Sequence, residues 1–127
     1  MIKMIQVRDY RGESIELAIE LTNYTEGNFI AIKANVCDEG GDEECYTVLS
    51  RNVPEAGYAV EDHLTLIPVG NNSVNDQITQ ALIKSGLLIP MGAQFPYNFY
   101  TLELFKVCLE KADRLNFWKK GELKYVV

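Results

Sequence analysis

Ser73-Val74-Asn75-Asp76-Gln77-Ile78-Thr79-Gln80-Ala81-Leu82-Ile83-Lys84-Ser85-Gly86 is the stretch that decides the fold. Val74, Ile78, Ala81, Leu82 and Ser85 recur at helical spacing and share one narrow face. Ser73 is a good N-cap, and Asp76 three residues on forms a capping-box-like pair with the favourable macrodipole sign. Lys84 sits in the last turn, and Gly86 stands at C′, where a left-handed residue closes a helix. Leu87 can then fold back on Leu82, as a Schellman ending favours. Start, face and stop agree on a helix over residues 73–86. A helix with one apolar stripe must lie on something, and most of the remaining chain reads as strand.

Upstream, residues 14–21 alternate: Ile15, Leu17, Ile19 and Leu21 share one face, with Glu16 and Glu20 on the other. Residues 2–8 form a plausible preceding strand, turned by Tyr10-Arg11-Gly12-Glu13. Gly27 and Asn28 supply turn chemistry before a strand over 29–37, with Ile30, Ile32, Ala34 and Val36 on one face. Extended structure resumes at 45–51 after the Gly40-Gly41 loop, which reads as a hairpin ended by Pro54. Residues 63–67 make a short strand stopped by Pro68.

Downstream, 90–96 reads as a loop or short extended segment. Residues 99–109 are dense in β formers, although Leu102, Phe105, Leu109, Ala112 and Leu115 also fit a helix. Residues 110–127 form an appended hairpin or a partly ordered tail. The sum is a single α+β domain over 1–127. Its sheet is mostly antiparallel, of about five or six strands, with one principal helix on one face.

Hydrophobic residues make up 47 % of the chain and charged residues 24 %, near the globular average. No apolar run approaches the roughly 20 residues needed to span a bilayer. The start lacks a signal-peptide core, so a cytoplasmic protein is expected. Three cysteines (Cys37, Cys45, Cys108) are then reduced by default, and free cysteines in apolar strands behave as small buried hydrophobes. Cys37 and Cys45 bracket the hairpin loop and could face one another. Net charge is −6; residues 110–127 hold five basic and three acidic residues, net +2, which leaves −8 on 1–109. Such a body repels phosphate, so direct nucleic-acid binding is disfavoured.

Motifs for chemistry are sparse. His63 is the single histidine, best read as a surface or interface residue, and no Gly-x-Ser-x-Gly accompanies it. The cysteines supply no Cys-x₂₋₄-Cys zinc knuckle. Asp38, Glu39, Asp42, Glu43 and Glu44 crowd one loop, but without EF-hand spacing. That loop reads as a solvated hairpin tip that can also serve as a negative docking patch. Late aromatics (Phe95, Tyr97, Phe99, Tyr100, Phe105, Phe117, Trp118 and Tyr125) read mostly as core. Phe117, Trp118, Lys119 and Lys120 form an aromatic-plus-basic group of the kind favoured at interfaces, although burial in the core is the stronger reading of its aromatics. No catalytic residue, metal ligand or cofactor site is assigned.

Asn23-Tyr24-Thr25-Glu26-Gly27-Asn28 leading into Ile30-Ala31-Ile32, and Tyr46-Thr47-Val48 leading into Asn52-Val53-Pro54, resemble a known family. So does the helix Asn75–Gly86, which is similar to an Asn-Glu-Gly-Leu-Leu-Glu-Ala-Leu-Val-x-Ala-Gly pattern. The family is domain of unknown function 4313, small proteins of plasmids, conjugative elements and phages of gut bacteria. The resemblance spans about residues 14–109 and implies that the segment ending Val107-Cys108-Leu109 is a closing strand. This chain departs from the pattern at its first strand, its acidic loop, its tail and a missing proline in the last strand. The family brings no assigned activity; it implies an accessory protein of a mobile element.

The leading expectation is therefore a non-enzymatic protein-interaction domain whose patches engage a host or element protein. An acidic, DNA-mimicking inhibitor of a host nuclease is the alternative. A carboxylate-dependent hydrolase or transferase comes third. Exposed sheet edges are compatible with homo-oligomers.

Overall fold

The structure is a computed structural model. It describes residues 4–24, 26–37, 40, 42–56, 62–70, 73–110 and 124–126, apart from the side chains of Cys37, Glu43, Glu55, Ser73 and residues 124–126.

Alternation produces the first sheet as expected. β1 (Met4–Arg8), β2 (Ser14–Tyr24), β3 (Ile30–Cys37) and β4 (Glu43–Val48) pair in sequence order, each antiparallel to the next. Asp9 builds the first turn: its Oδ1 accepts the Arg11 and Glu13 N–H groups at 2.8 and 2.9 Å. A short strand, β8 (Lys124–Val126), runs parallel to β2 beyond the end of β1.

Fold class stands as read, α+β with one principal helix among the described residues, but the strands divide between two sheets. The second contains β5 (Leu64–Val69), β6 (Leu88–Tyr97) and β7 (Tyr100–Val107) in the order β5-β7-β6. The division occurs just after β4. Leu49 still donates to the Ile32 carbonyl of β3, whereas Arg51 donates to Leu66 of β5, both at 2.8 Å. Thr65 Oγ1 donates to the Ile30 carbonyl and fastens the sheets together.

Two sheets allow two cores. Leu17, Ile19 and Leu21 join Ile30, Ile32 and Ala34 beneath the helix α1 (Ser73–Ser85), with Phe105 and Val107. Tyr24, Phe29, Ala31, Leu64, Leu66, Leu102 and Leu104 form the other. Alternation in β2 is therefore incomplete. Ala18, Thr22 and Tyr24, on the same face as Glu16 and Glu20, are buried. Glu20 is half-buried and accepts a hydrogen bond from Asn35.

The helix matches its sequence signals most closely at its end. Gly86 adopts φ +86° and donates to Ile83, while Leu87 donates to Leu82, the two bonds of a Schellman motif. Leu82 and Leu87 are both fully buried in the first core. At the start, Asp76 Oδ1 accepts the N–H of Gly70 at 3.2 Å and ties down the incoming chain, while the Ser73 side chain expected as N-cap lies outside the described residues. Thr79, outside the apolar stripe read from the sequence, is nonetheless buried. It is 3 % exposed, with its hydroxyl satisfied by the Asn75 carbonyl.

Two proline expectations also change. Pro68 lies inside β5, opposite Leu102, and 90–96 belongs to the ten-residue β6. The reason is direction. Val107 donates to His63, so odd positions of β7 face β5. Pro90 and Pro96 pair with Phe105 and Thr101 and therefore point off the open edge of β6. Leu66 accepts from Arg51, so Pro68 likewise points away from β7. A proline there costs no ladder bond and denies a donor to any incoming strand. The remaining edges are guarded differently. Gln77 accepts the Arg8 N–H and donates to the Arg8 carbonyl, a side-chain amide standing in for a strand on β1. On β4 the register shifts opposite Ala34/Asn35, a bulge.

Candidate interaction site

Of the residues singled out by the sequence, Asp38, Glu39, Phe117, Trp118, Lys119 and Lys120 lie outside the described residues. Of the rest, Asp42 and Glu44 are exposed, and Glu43 and Glu44 open β4, in register with Cys37 and Val36. Cys45 pairs with Asn35 rather than Cys37 and is a free, exposed thiol, which corrects its reading as a buried hydrophobe.

Carboxylates elsewhere are engaged locally. Asp9 organises a turn, Glu20 holds Asn35, and Glu103 accepts from Gln94 at 3.0 Å. Among the described residues, no three His, Cys, Asp or Glu side chains converge to hold a metal ion. No helix among them is long and apolar enough to cross a membrane.

The feature that stands out is the β6–β7 hairpin. Tyr97 and Tyr100 close it around a two-residue turn, Asn98-Phe99, with Asn98 at φ +56°. Asparagine tolerates this left-handed conformation because its short amide can bond locally. The turn projects Phe99 into solvent, 101 % exposed, where the sequence predicts a core aromatic. Hairpin geometry overrides hydrophobicity here: a side chain at the tip has no sheet face to lie on.

The base of the tip is stiff. The Tyr97 and Tyr100 rings are 6.2 Å apart and tilted by 51°. Arg51 lies 5.9 Å from the Tyr100 ring, within cation–π range. The same guanidinium donates to the Val48 and Ser50 carbonyls at 2.9 and 2.8 Å, so it is held in place. Phe95, Tyr97 and Tyr100 pack against the second core. Nearby, the buried Tyr24 hydroxyl lies 2.8 Å from Ser50 Oγ. Burial raises its pKa above the ordinary phenol value, while the Ser50 bond and the Arg51 charge oppose the shift.

No protein-family model, curated protein or solved structure matches the chain.

Two cavities lined by described residues lie elsewhere on the surface. One, of about 560 Å³, lies between β1 and α1 and is lined by Gln6, Val7, Asp76, Gln77 and Gln80. The other, of about 290 Å³, lies at the end of β7 remote from the turn, lined by His63, Lys106, Val107, Cys108, Leu109 and Glu110. His63 enters β5 at φ +52° and is half-exposed on this cavity wall. Sequence reasoning missed the hairpin tip. The available signal was Tyr97-Asn98-Phe99-Tyr100, an asparagine between aromatic β formers, which marks a turn.

Proposed function

We propose that this protein is a non-enzymatic interaction domain that engages another polypeptide through the β6–β7 hairpin tip. The observation that carries this reading is the fully exposed Phe99 on a stiff aromatic base. Covering one phenyl side chain is worth about 1.5–3 kcal/mol, and exposed aromatics of this kind serve as interface anchors. The guarded sheet edges add support, since they disfavour strand addition and leave side chains as the means of recognition. The acidic loop 38–44 serves as a second docking surface for a basic partner. The resemblance of residues 14–109 to small mobile-element proteins, read from the sequence alone, supports a role for the domain as an accessory factor of such an element.

The test places benzoylphenylalanine at position 99 and irradiates cells expressing the protein. Discrete cross-linked polypeptides are expected, absent when the probe is moved to exposed Tyr10. Identical adduct patterns from both positions, or none from position 99, would overturn the reading.

A further inference from the structure

The tip and the smaller cavity occupy opposite ends of one strand. Phe99 precedes β7, and Lys106 to Glu110 end and follow it, about 23 Å away at the usual rise per residue. The cavity measures about 290 Å³, and a cavity of about 150 Å³ already accepts a benzene ring. Leu109 and the methylene stem of Lys106 offer apolar wall, with the Cys108 thiol beside them and the buried Val107 behind.

We propose that the chain associates with itself head to tail, Phe99 of one copy seated in the cavity of the next. This rests on the hairpin tip being a binding element and adds the identity of its partner. Three observations favour a second copy. The chain carries both a knob and a hollow large enough for it, and their placement at opposite ends prevents the two from meeting within one copy. The guarded edges leave sheet extension as a poor route to association, so contact passes through side chains. The charges also match. Arg51 at the tip end has no carboxylate partner among the described residues, and Asp62 and Glu110 are exposed beside His63 and the cavity. Lys106 on the cavity wall stays turned to solvent, as its exposure requires.

A heterologous contact of this type does not close on itself as a two-fold dimer does, so copies add in series. A contact of one anchor and its rim is small and belongs with weak, transient interfaces. Weight-average mass of the full chain should therefore rise steadily with concentration in sedimentation equilibrium, from micromolar to millimolar. Phe99→Ser should weaken association about tenfold or more. Cys108→Phe, which fills the cavity from within, should do the same; Leu109→Asp is the second variant if far-UV circular dichroism shows that Cys108→Phe misfolds.

The decisive measurement mixes the two. Phe99→Ser keeps an open cavity, Cys108→Phe keeps a free tip, and only one productive contact remains between them. Each alone should be monomeric, and the equimolar mixture should form a one-to-one dimer that grows no further. A monomeric wild type, undiminished association of Phe99→Ser, or no dimer in the mixture would overturn the proposal. If benzoylphenylalanine at 99 then still captured another protein, the hairpin tip would stand as a binding element and self-association would fall alone.

Discussion

Gly27→Ala probes the contact on which the β2–β3 turn depends. Gly27 has φ +77°, and a Cβ built there would lie 2.9 Å from Pro54 Cα and 3.3 Å from Pro54 Cβ. Pro54 opens a short 3-10 turn and its ring restricts retreat. Asn52 braces the same place, donating to the Glu26 carbonyl at 3.0 Å. A non-glycine residue in the left-handed region costs about 1–2 kcal/mol. Forcing packed backbone apart costs about 1–3 kcal/mol more. Reduced freedom of the unfolded chain returns about 0.4–1 kcal/mol. The expected loss is thus about 2–4 kcal/mol, a large share of the roughly 5–15 kcal/mol that holds a typical domain folded. Gly12→Ala separates the two costs. Gly12 has φ +82°, but a Cβ at that position would meet nothing within 4 Å, so only the backbone cost applies, about 1 kcal/mol. Urea unfolding followed by far-UV circular dichroism at neutral pH measures both. Equal losses at the two glycines would refute the claimed contact between the turn and Pro54.

Gln77→Ala should uncover the β1 edge, lowering stability by about 1 kcal/mol because water replaces much of what the amide provides. Its signature is faster hydrogen exchange at the Arg8 amide; an unchanged rate would contradict the strand-like role. Tyr24 predicts alkaline sensitivity. Its folded pKa is raised, so the folded state resists ionisation and this contribution is intact below about pH 10. It is lost as pH rises from there through the folded pKa. Tyr24→Phe should flatten that part of the stability curve above about pH 10, and an equally steep decline in the variant would count against it. Replacing Asp42, Glu43 and Glu44 together by Lys should abolish capture of basic partners from a host lysate without changing the thermal midpoint by more than a few degrees. Retention of the same proteins would remove the acidic loop from the binding surface.

Particular residues show where legibility stops. The Schellman end at Gly86 is readable because every group in it lies within a few positions of the others. So is the strand pairing of β1, β2 and β3, whose connections are short. Pro68 reads wrongly as a strand stop because a proline's effect depends on which side of the strand is occupied. The stretches Asn23–Asn28 and Asn52–Pro54 stand apart in the chain, and nothing in either announces their contact at Gly27. At the site, Phe99 reads as core because composition counts a phenyl ring as buried until a turn places it otherwise. Asp38, Glu39 and the Phe117–Lys120 group lie outside the described residues.

By itself, then, the sequence determined the helix, its C-terminal cap, the strand periodicities and the α+β class. All of these arise from local backbone preference and from which side chains share a face. Only the tertiary structure decided the division into two sheets, the orientation of three prolines away from β7, the use of Gln77 as a strand surrogate, and the exposure of Phe99. Each depends on what lies across a gap in space from residues far away in the chain, and periodicity carries no record of that.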